Sequence, residues 1–144
     1  MTASRPGGPL SSPGHWLHHA ALAWQRDFGR RLRPLGLTPT QFMILGAVGW
    51  LAETDRPPTQ QAVANLAGTD RMMTSKVLTA LEARALIERT NDPVDGRSRR
   101  LRQTPGGKKA ALAAVEVVTS LDRDFFSGEN SSTLTAIFRR LAGR

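Results

Sequence analysis

The sequence predicts a mainly helical fold with one short β-hairpin. Three observations lead to this class. Six segments carry apolar residues at helical spacing, two neighbouring segments have the composition of short strands around a run of turn formers, and proline or glycine marks most boundaries. With 144 residues and 40% hydrophobic content, the chain suits one domain with a real core.

The N-terminal part of the chain predicts an arm followed by a helix. Residues 1–13 are rich in Pro, Gly and Ser and predict a flexible arm without the apolar core of a signal peptide. The first helix is expected from about residue 14 to residue 33, and Pro34 ends it. Its apolar residues recur at every fourth position: Trp16, Ala20, Trp24 and Phe28.

A strong start signal opens the second helix in "LTPTQFMIL". Thr38 is expected to cap this helix, Pro39 fits the first helical position, and Gln41 completes a capping box. The helix is expected to end near Glu53, and "TDRPP" is expected to be a loop that leads to the next element.

Two short helices with a tight joint follow. In "TQQAVANLAG", Thr59 is the expected N-cap and Gly68 the stop. In "TDRMMTSKVLTALEAR", Thr69 is the expected N-cap, and Asp70 lies in the first turn, where the helix dipole favours a negative charge. A short helix, a Gly-containing turn and a second helix form a helix-turn-helix. The predicted inner faces are Val63, Leu66 and Ala67, then Met73, Val77, Leu78 and Leu81.

A hairpin is predicted directly after these helices. "ALIERT" is the expected first strand, with Leu86 pointing inward, and "NDPVDG" is dense in turn formers. "RSRRLRQ" is the expected returning strand, with Leu101 as its buried residue. Residues 37–104 are therefore predicted to form a winged helix-turn-helix.

Further helices are expected outside this lobe. "TPGGKKAALAAVEVVTSLDRDFF" repeats the cap-then-proline signal at Thr104 and Pro105 and begins a long helix, and a final helix follows Gly128. Residues 14–36 and 105–144 carry apolar faces that the lobe does not cover, so we expect them to form a homodimer. Residues 14–144 are predicted to form a single domain.

The basic charge is concentrated in one part of the chain. The formal net charge is +8, and residues 71–109 hold ten basic and four acidic residues. Four arginines crowd into residues 97–102, on the expected wing. A local basic excess on a folded segment indicates a polyanionic binding partner. Nucleic acid is the first candidate and an anionic membrane surface the second. Two helix-turn-helix units on a two-fold axis fit successive major grooves roughly 34 Å apart, so double-stranded DNA is the expected partner.

The second helix of the motif and the wing are predicted to contact DNA. Thr, Ser and Lys side chains at the start of a recognition helix reach base edges or phosphates. A wing-tip arginine enters the minor groove, and Arg97 is the expected tip, with Asp95 orienting its guanidinium through a bidentate pair. Met72 and Met73 are expected to pack inside the protein. The predicted DNA-contacting residues are Thr59, Gln60, Thr69, Arg71, Thr74, Ser75, Lys76, Thr79, Asp95, Arg97, Ser98 and Arg99.

Several classes of protein are excluded by what the sequence lacks. Without cysteine there are no structural disulfides, thiolate zinc sites or cysteine redox switches. The longest apolar run, residues 42–52, is shorter than the roughly 20 residues that span a bilayer, so no membrane partner is expected and the expected location is the cytoplasm. No phosphate-cradling glycine loop, serine elbow or HExxH pattern points to an enzyme. His15, His18 and His19 share a helix face, but no neighbouring Cys or carboxylate completes a metal site, and no metal or cofactor is predicted.

The sequence resembles the MarR family of transcriptional regulators over about residues 35–110. The resemblance runs from "LGLTPTQFMIL" through "TQQAVANLAG" to "TSKVLTALEARALIERTNDPVDGRSRRLRQTPGGKKA". Asp95 and Arg97 match the family's wing pair, and Ser75 and Lys76 match its usual recognition-helix Thr-Arg. Ala85 stands where the family usually has Gly, and a left-handed backbone there would cost Ala about 1 kcal/mol.

The resemblance implies a homodimer on a palindromic operator, usually repressing nearby genes. It also implies release from DNA when a small, often aromatic or phenolic, molecule binds between the dimerisation helices and the DNA-binding lobe. Aromatic residues suggest such a pocket where the first two helices approach each other, lined by His15, Trp16, His19 and Trp50. The lack of cysteine removes the family's thiol-oxidation branch and leaves a ligand-controlled or a constitutive regulator.

Three interpretations of the function follow. The first is a ligand-responsive repressor, the second is an architectural nucleoid-type protein that binds DNA by charge alone without ligand control, and the third is a protein–protein adaptor that reuses the winged helix. The polar helix face beside the basic wing favours the first two. A repressor should prefer its operator over random DNA by roughly 10³-fold or more, which separates the first from the second.

Overall fold

The computed structural model describes residues 7–54 and 56–144, and its elements follow the predicted order. The helices are α1 Pro13–Leu32, α2 Pro39–Ala52, α3 Gln60–Ala67, α4 Arg71–Ala83, α5 Pro105–Phe125 and α6 Ser131–Leu141, and the strands are β1 Ile87–Asn91 and β2 Arg99–Gln103. The strands pair antiparallel, with Ile87 opposite Gln103 and Asn91 opposite Arg99. The fold is the mainly helical winged helix-turn-helix that the sequence predicts.

The predicted N-terminal arm is only partly covered by the described residues, because residues 1–6 lie outside them. Within the arm, Pro9–Ser11 forms a turn of 3₁₀ helix. The carbonyl oxygen of Leu10 accepts a hydrogen bond from Nε1 of Trp16 at 2.8 Å, so this part of the arm lies against the start of α1. At the other end of α1, a second 3₁₀ turn, Arg33–Leu35, contains Pro34.

The capping signals of α2, α3 and α5 are confirmed. Oγ1 of Thr38 accepts a hydrogen bond from the Gln41 amide at 3.1 Å, and Oε1 of Gln41 accepts one from the Thr38 amide at 3.1 Å, which completes the capping box. Thr59 and Thr104 likewise cap α3 and α5 with their side chains. Gly68 ends α3 in the left-handed conformation, as its position after the last apolar residue predicts.

The start of α4 corrects the predicted cap. Asp70, not Thr69, is the N-cap, and its Oδ1 accepts a hydrogen bond from the Met73 amide at 2.7 Å. A carboxylate both accepts this bond and complements the positive end of the helix dipole, so it is the stronger cap. The hydroxyl of Thr69 is then free to bond inside the motif.

One hydrophobic core joins the described helices α1 to α5 and the hairpin. Its largest buried apolar side chains are Phe28, Leu32, Ile44, Leu45, Leu78, Leu81, Ile87, Leu101 and Leu121. Leu101 is buried as predicted, whereas Leu66 and Met73, predicted on inner faces, are exposed. The buried residue of β1 is Ile87, and Leu86 is half-buried just before the strand, because the strand begins two residues later than "ALIERT" suggests.

The junction between the lobe and α5 depends on two small residues. Ala85 has a φ of 57°, which confirms that this position needs a left-handed backbone. Gly107, in the first turn of α5, lies so close to the residue preceding β1 that an added Cβ would come within 1.8 Å of the Leu86 carbonyl oxygen. The Thr104 amide donates to that same oxygen at 3.1 Å. The start of α5 is therefore fixed against the start of β1.

The helices outside the lobe differ in how well they are covered. α1 packs along α5, where Nε1 of Trp24 donates to Oδ1 of Asp122 at 2.9 Å and Nη1 of Arg31 lies 2.9 Å from Oδ2 of Asp124. α6 contains no buried residue, although its apolar face carries Leu134, Ile137, Phe138 and Leu141. None of the helices in residues 7–54 and 56–144 is by itself long and apolar enough to cross a bilayer.

Candidate DNA-binding surface

The outer face of α4 is polar and basic. Arg71, Ser75 and Thr79 follow one another at a spacing of four and so share one face, with Lys76 beside them. Arg71, Lys76 and Thr79 are exposed, and Ser75 is half-buried. These four residues therefore lie together on the outer face of α4, the face expected for them from the sequence.

Thr74 does not belong to this face. Its side chain is fully buried, its hydroxyl donates to the Asp70 carbonyl oxygen at 2.7 Å, and the same hydroxyl lies 2.7 Å from Oγ1 of Thr69. A threonine can be buried in a helix when such local bonds satisfy its hydroxyl. The predicted contact between Thr74 and DNA is corrected accordingly. Thr74 holds the start of α4 in place, and Thr69, half-buried, shares that bond.

Met72 and Met73 also lie differently from the prediction, which placed them in packing positions. Met72 is 84% exposed and Met73 is exposed beside it. Together with Arg71 and Lys76 they line a shallow, largely apolar depression on the outside of α4. Apolar surface of this kind beside a polar face suits contact with a thymine methyl group.

The tip of the wing is built by two aspartates. Oδ1 of Asp92 accepts a hydrogen bond from the Val94 amide at 2.8 Å, and Oδ1 of Asp95 accepts one from the Arg97 amide at 3.1 Å. No ion pair joins Asp95 to the Arg97 guanidinium in the described part of the chain, so the predicted bidentate pair is corrected. Asp95 fixes the backbone of the tip instead, and the Arg97 side chain is left exposed.

The ion pair of the wing is formed by Asp92 and Arg100. Nε of Arg100 lies 2.7 Å from Oδ2 of Asp92, and Nη1 of Arg100 donates to the Pro57 carbonyl oxygen at 3.0 Å. Asp92 is buried, and the hydrogen bond from the Val94 amide, followed by the Arg100 guanidinium, lowers the pKa of its carboxyl below the ordinary value. This pair ties the wing to the segment that precedes α3.

A cleft of about 440 Å³ lies between the start of α3, the start of α4 and the wing. It brings together six predicted contact residues: Thr59, Gln60, Arg71, Arg97, Ser98 and Arg99. Gln61, Ala64 and Arg89 complete its lining, which thus contains four arginines and no carboxylate. We call it the arginine cleft. Its potential is strongly positive, because concave walls concentrate the field of like charges.

Arg89 is the cleft residue that the sequence analysis missed. It stands in β1 two residues after the buried Ile87, and side chains two apart on a strand point to the same face. That alternation is the signal that could have placed Arg89 inward, between β1 and α4.

The residues predicted to bind a small molecule are not brought together. The His15 ring packs edge-on against Trp16 and at a tilt against His19, with ring centroids 5.0 and 4.4 Å apart. Trp50, however, is 67% exposed at the far end of α2 and has no aromatic contact with them within the described ranges. The helical segments Pro13–Leu35 and Pro39–Ala52 bend by 74° at their joint, so their far ends diverge. No cluster of three metal-ligating side chains forms among the residues described.

A crevice does form where α1 and α2 approach, but nearer to their joint. Its volume is about 710 Å³. The apolar part of its lining consists of Leu22, Trp24, Leu37, Pro39 and Met43, and the basic part consists of Arg26, Arg30 and Arg33. This crevice lies between the two helices named in the prediction, but none of the four predicted residues lines it.

The fold and this surface define a class of protein. A helix-turn-helix with an exposed polar second helix and an arginine-rich wing on the same side is a DNA-binding module of the winged-helix type. A family model described as "MarR family" matches residues 35–98. A regulator from Bacillus subtilis (strain 168), named "Uncharacterized HTH-type transcriptional regulator YdcH", is 35% identical over 124 residues, which cover 86% of this chain and 84% of that protein. The chain belongs to the MarR family and is a DNA-binding transcriptional regulator.

Solved structures agree with this assignment. The transcriptional repressor CouR bound to a 23-mer DNA duplex is 29% identical, covers 98% of both chains and superimposes with a TM-score of 0.78. BpsR of Bordetella bronchiseptica, whose DNA binding is regulated by 6-hydroxynicotinic acid, is 24% identical, covers 96% of both chains and superimposes with a TM-score of 0.82. At 24% identity, the likeness to BpsR shows that the two proteins share a fold.

Proposed function

We propose that the chain is a homodimeric repressor that binds a palindromic operator and leaves it when a small aromatic acid binds between α1 and α2. The observation that carries the proposal is the crevice at the joint of α1 and α2, because it touches both the helices outside the lobe and the lobe itself. CouR is named as a repressor, and BpsR as controlled by a hydroxylated aromatic acid. A regulator of this kind works where its operator is, in the cytoplasm.

The sequence-specific part of the proposal is supported by the outer face of α4. Ser75 and Lys76 place a hydroxyl and an ammonium group on one side of a single helix, which is the chemistry of base-edge readout. The arginine cleft and the Arg97 tip supply the sequence-independent attraction to phosphate and to the minor groove.

The dimer is supported by the uncovered faces of α1, α5 and α6. Leu17, Trp24, Phe125, Phe126 and Phe138 border an apolar cavity of about 210 Å³ between these helices. On α6, Ile137, Phe138 and Leu141 remain 37%, 42% and 64% exposed within one chain. Apolar faces at both ends of a small domain are stabilised when a second copy covers them.

An interface of this kind has a direct test. Ile137→Arg places a charge in the middle of the α6 face at a residue that is not buried, so we expect a monomer by light scattering. Leu66→Arg, an exposed apolar residue on α3, is the matched control and should stay dimeric. A dimeric Ile137→Arg variant would contradict this placement of the interface.

The crevice has the chemistry of a site for an aromatic acid. An aromatic ring fits against Trp24, Pro39 and Met43, and a carboxylate pairs with a guanidinium of Arg30 or Arg33. Asp27 already holds Arg30, and it also lies 3.7 Å from Arg31, which binds Asp124 of α5. A ligand carboxylate that takes Arg30 from Asp27 therefore changes the ion pairs that set α1 against α5.

Tryptophan fluorescence tests the location of the ligand. The experiment titrates hydroxylated benzoic and pyridine carboxylic acids into the protein and follows both its fluorescence and the anisotropy of a labelled duplex. We expect an acid that quenches fluorescence and releases DNA together. Trp24→Phe should abolish the fluorescence response, and Trp50→Phe should retain it, because only Trp24 lines the crevice.

The opposite pattern decides against the crevice. A response that survives in Trp24→Phe but disappears in Trp50→Phe would place the ligand elsewhere. If no acid in the panel weakens DNA binding, the result favours a constitutive regulator.

A further inference from the structure

The guanidinium of Arg89 is buried yet incompletely bonded. Its side chain is only 9% exposed, and its Nη2 donates to Oγ1 of Thr79 on α4 at 2.6 Å. Its Nε has no hydrogen-bond partner among the described residues, since the nearest carboxylate oxygen, Oε2 of Glu82, is 3.8 Å away. A buried N–H without an acceptor costs free energy, so a charged donor in this state indicates an acceptor that arrives from outside the chain.

Arg89 shares the cleft mainly with hydrogen-bond donors, and the Glu82 carboxylate, 3.8 Å from its Nε, is not part of the cleft lining. Arg71 from α4 and Arg97 and Arg99 from the wing line the same cleft, with the hydroxyls of Thr59 and Ser98. The cleft also reaches the first turn of α3, where the amides of residues 60 and 61 have no acceptor within the helix. The lining thus contains a helix start and four guanidinium groups but no carboxylate. This combination suits a compact anion with several acceptor oxygens.

We propose that the arginine cleft is a built site for one phosphate group, with Arg89 as its floor, and that the group is a backbone phosphodiester of bound DNA. Oxygens of the phosphate accept from Nε of Arg89 and from the exposed arginines above it. Because the cleft joins α3, α4 and the wing, one phosphate fixes all three elements relative to the duplex. Through Thr79, Arg89 also positions the outer face of α4.

The inference rests on the DNA-binding face, and it does not depend on an operator sequence or an effector. A phosphodiester is present in every duplex, so the site acts equally on all sequences. A random-sequence duplex is therefore a sufficient probe, with binding measured by fluorescence anisotropy over a range of salt concentrations.

The test compares Arg89→Gln with Arg102→Gln. Arg102 is an exposed arginine of β2 outside the cleft, so its loss removes the same charge from the same hairpin. Arg89→Gln should lower affinity for the random duplex about tenfold or more and flatten the slope of log K against log salt by roughly 0.9. Arg102→Gln should change the slope by less than half as much. Arg89→Lys should restore part of the affinity, because it keeps the charge but loses the planar fork.

Each outcome decides the proposal. An Arg89→Gln slope equal to that of the wild type overturns it, and so does an equal effect of Arg102→Gln, which would indicate a general field rather than a site. If Arg89→Gln does not fold, the exposed cleft arginines carry the test. Arg71→Gln and Arg99→Gln should then each flatten the slope, and unchanged slopes would reject the site.

Two further controls are needed. The first distinguishes free phosphate from the phosphate of DNA, and the second distinguishes failure of the cleft proposal from failure of the DNA-binding function. If the cleft serves free phosphate instead, millimolar inorganic phosphate at constant ionic strength will raise the melting temperature of the wild type, while Arg89→Gln binds DNA normally. That result overturns the assignment to DNA. A wild type that binds no duplex would reject the DNA-binding function itself, whereas normal wild-type binding with an indifferent Arg89→Gln rejects only the cleft.

Discussion

Gly107 offers the sharpest test of how the winged lobe is joined to α5. An added Cβ would lie 1.8 Å from the Leu86 carbonyl oxygen, whereas ordinary contacts begin at 3.4 Å. Gly107→Ala must therefore push these two segments about 1.6 Å further apart. That shift breaks two hydrogen bonds made by Thr104, one from its amide to Leu86 and one from its hydroxyl to the Ala85 carbonyl oxygen at 2.6 Å.

The magnitude follows from these contacts. Overpacking costs about 1–3 kcal/mol, and each lost hydrogen bond adds about 1 kcal/mol, partly offset by up to about 1 kcal/mol of helix propensity gained by replacing glycine. Gly107→Ala should therefore lower the free energy of unfolding by about 3 kcal/mol. For a chain of this size that corresponds to a fall in Tm of about 6–12 °C.

Thermal and urea unfolding followed by circular dichroism, at one fixed protein concentration, measures this effect. Gly106→Ala is the matched control, because its Cβ would lie 3.7 Å from Oγ1 of Thr104, an ordinary contact. That variant should be as stable as the wild type or slightly more stable. A difference between the two variants of less than about 1 kcal/mol, the scale of helix propensity alone, would contradict the predicted clash at Gly107.

Three other predictions concern the backbone, the wing and acidity. Ala85→Gly should raise the free energy of unfolding by about 1 kcal/mol, because it relieves the φ of 57°, and a loss of stability would contradict this. Arg97→Ala should weaken duplex binding by about 1–3 kcal/mol in anisotropy titrations, most at A·T-rich flanks, while Arg140→Ala on α6 should bind normally; equal losses would reject the role of the tip. The lowered pKa of Asp92 means that its carboxylate stabilises the fold above the unfolded value of about 3.9 and that this contribution is lost as the pH falls through the lower folded value. The urea midpoint of the wild type should thus fall more steeply below pH about 4 than that of Asp92→Asn. Parallel plots of urea midpoint against pH for the two proteins would refute the stabilising role of the Asp92 carboxylate.

Local signals explain why the fold could be predicted from the sequence. The capping box of Thr38 and Gln41 and the left-handed stop at Gly68 are decided by residues within one turn of each other. The left-handed backbone at Ala85, by contrast, was indicated by the family resemblance, because the family usually has glycine at this position. The capping box and the glycine stop need no knowledge of the remote chain.

Tertiary contacts explain what was missed. The burial of Thr74 and the inward position of Arg89 depend on how α4 packs against its neighbours, and helix periodicity alone does not distinguish a polar outer residue from a satisfied inner one. The ion pair of Asp92 with Arg100 depends on the register of the hairpin. The crevice depends on the angle between α1 and α2, which the sequence does not give. Aromatic residues alone therefore pointed to an exposed side chain, Trp50, as part of the pocket.

Selection of bound sequences from a random duplex library tests the central claim most directly. If the chain is a dimeric, sequence-specific regulator, the bound pool should become enriched in an inverted repeat whose half-site centres lie about one helical turn apart, roughly 34 Å. A pool that is retained without any enriched sequence would contradict specificity and support binding by charge alone, and enrichment of a single unrepeated half-site would contradict the dimer.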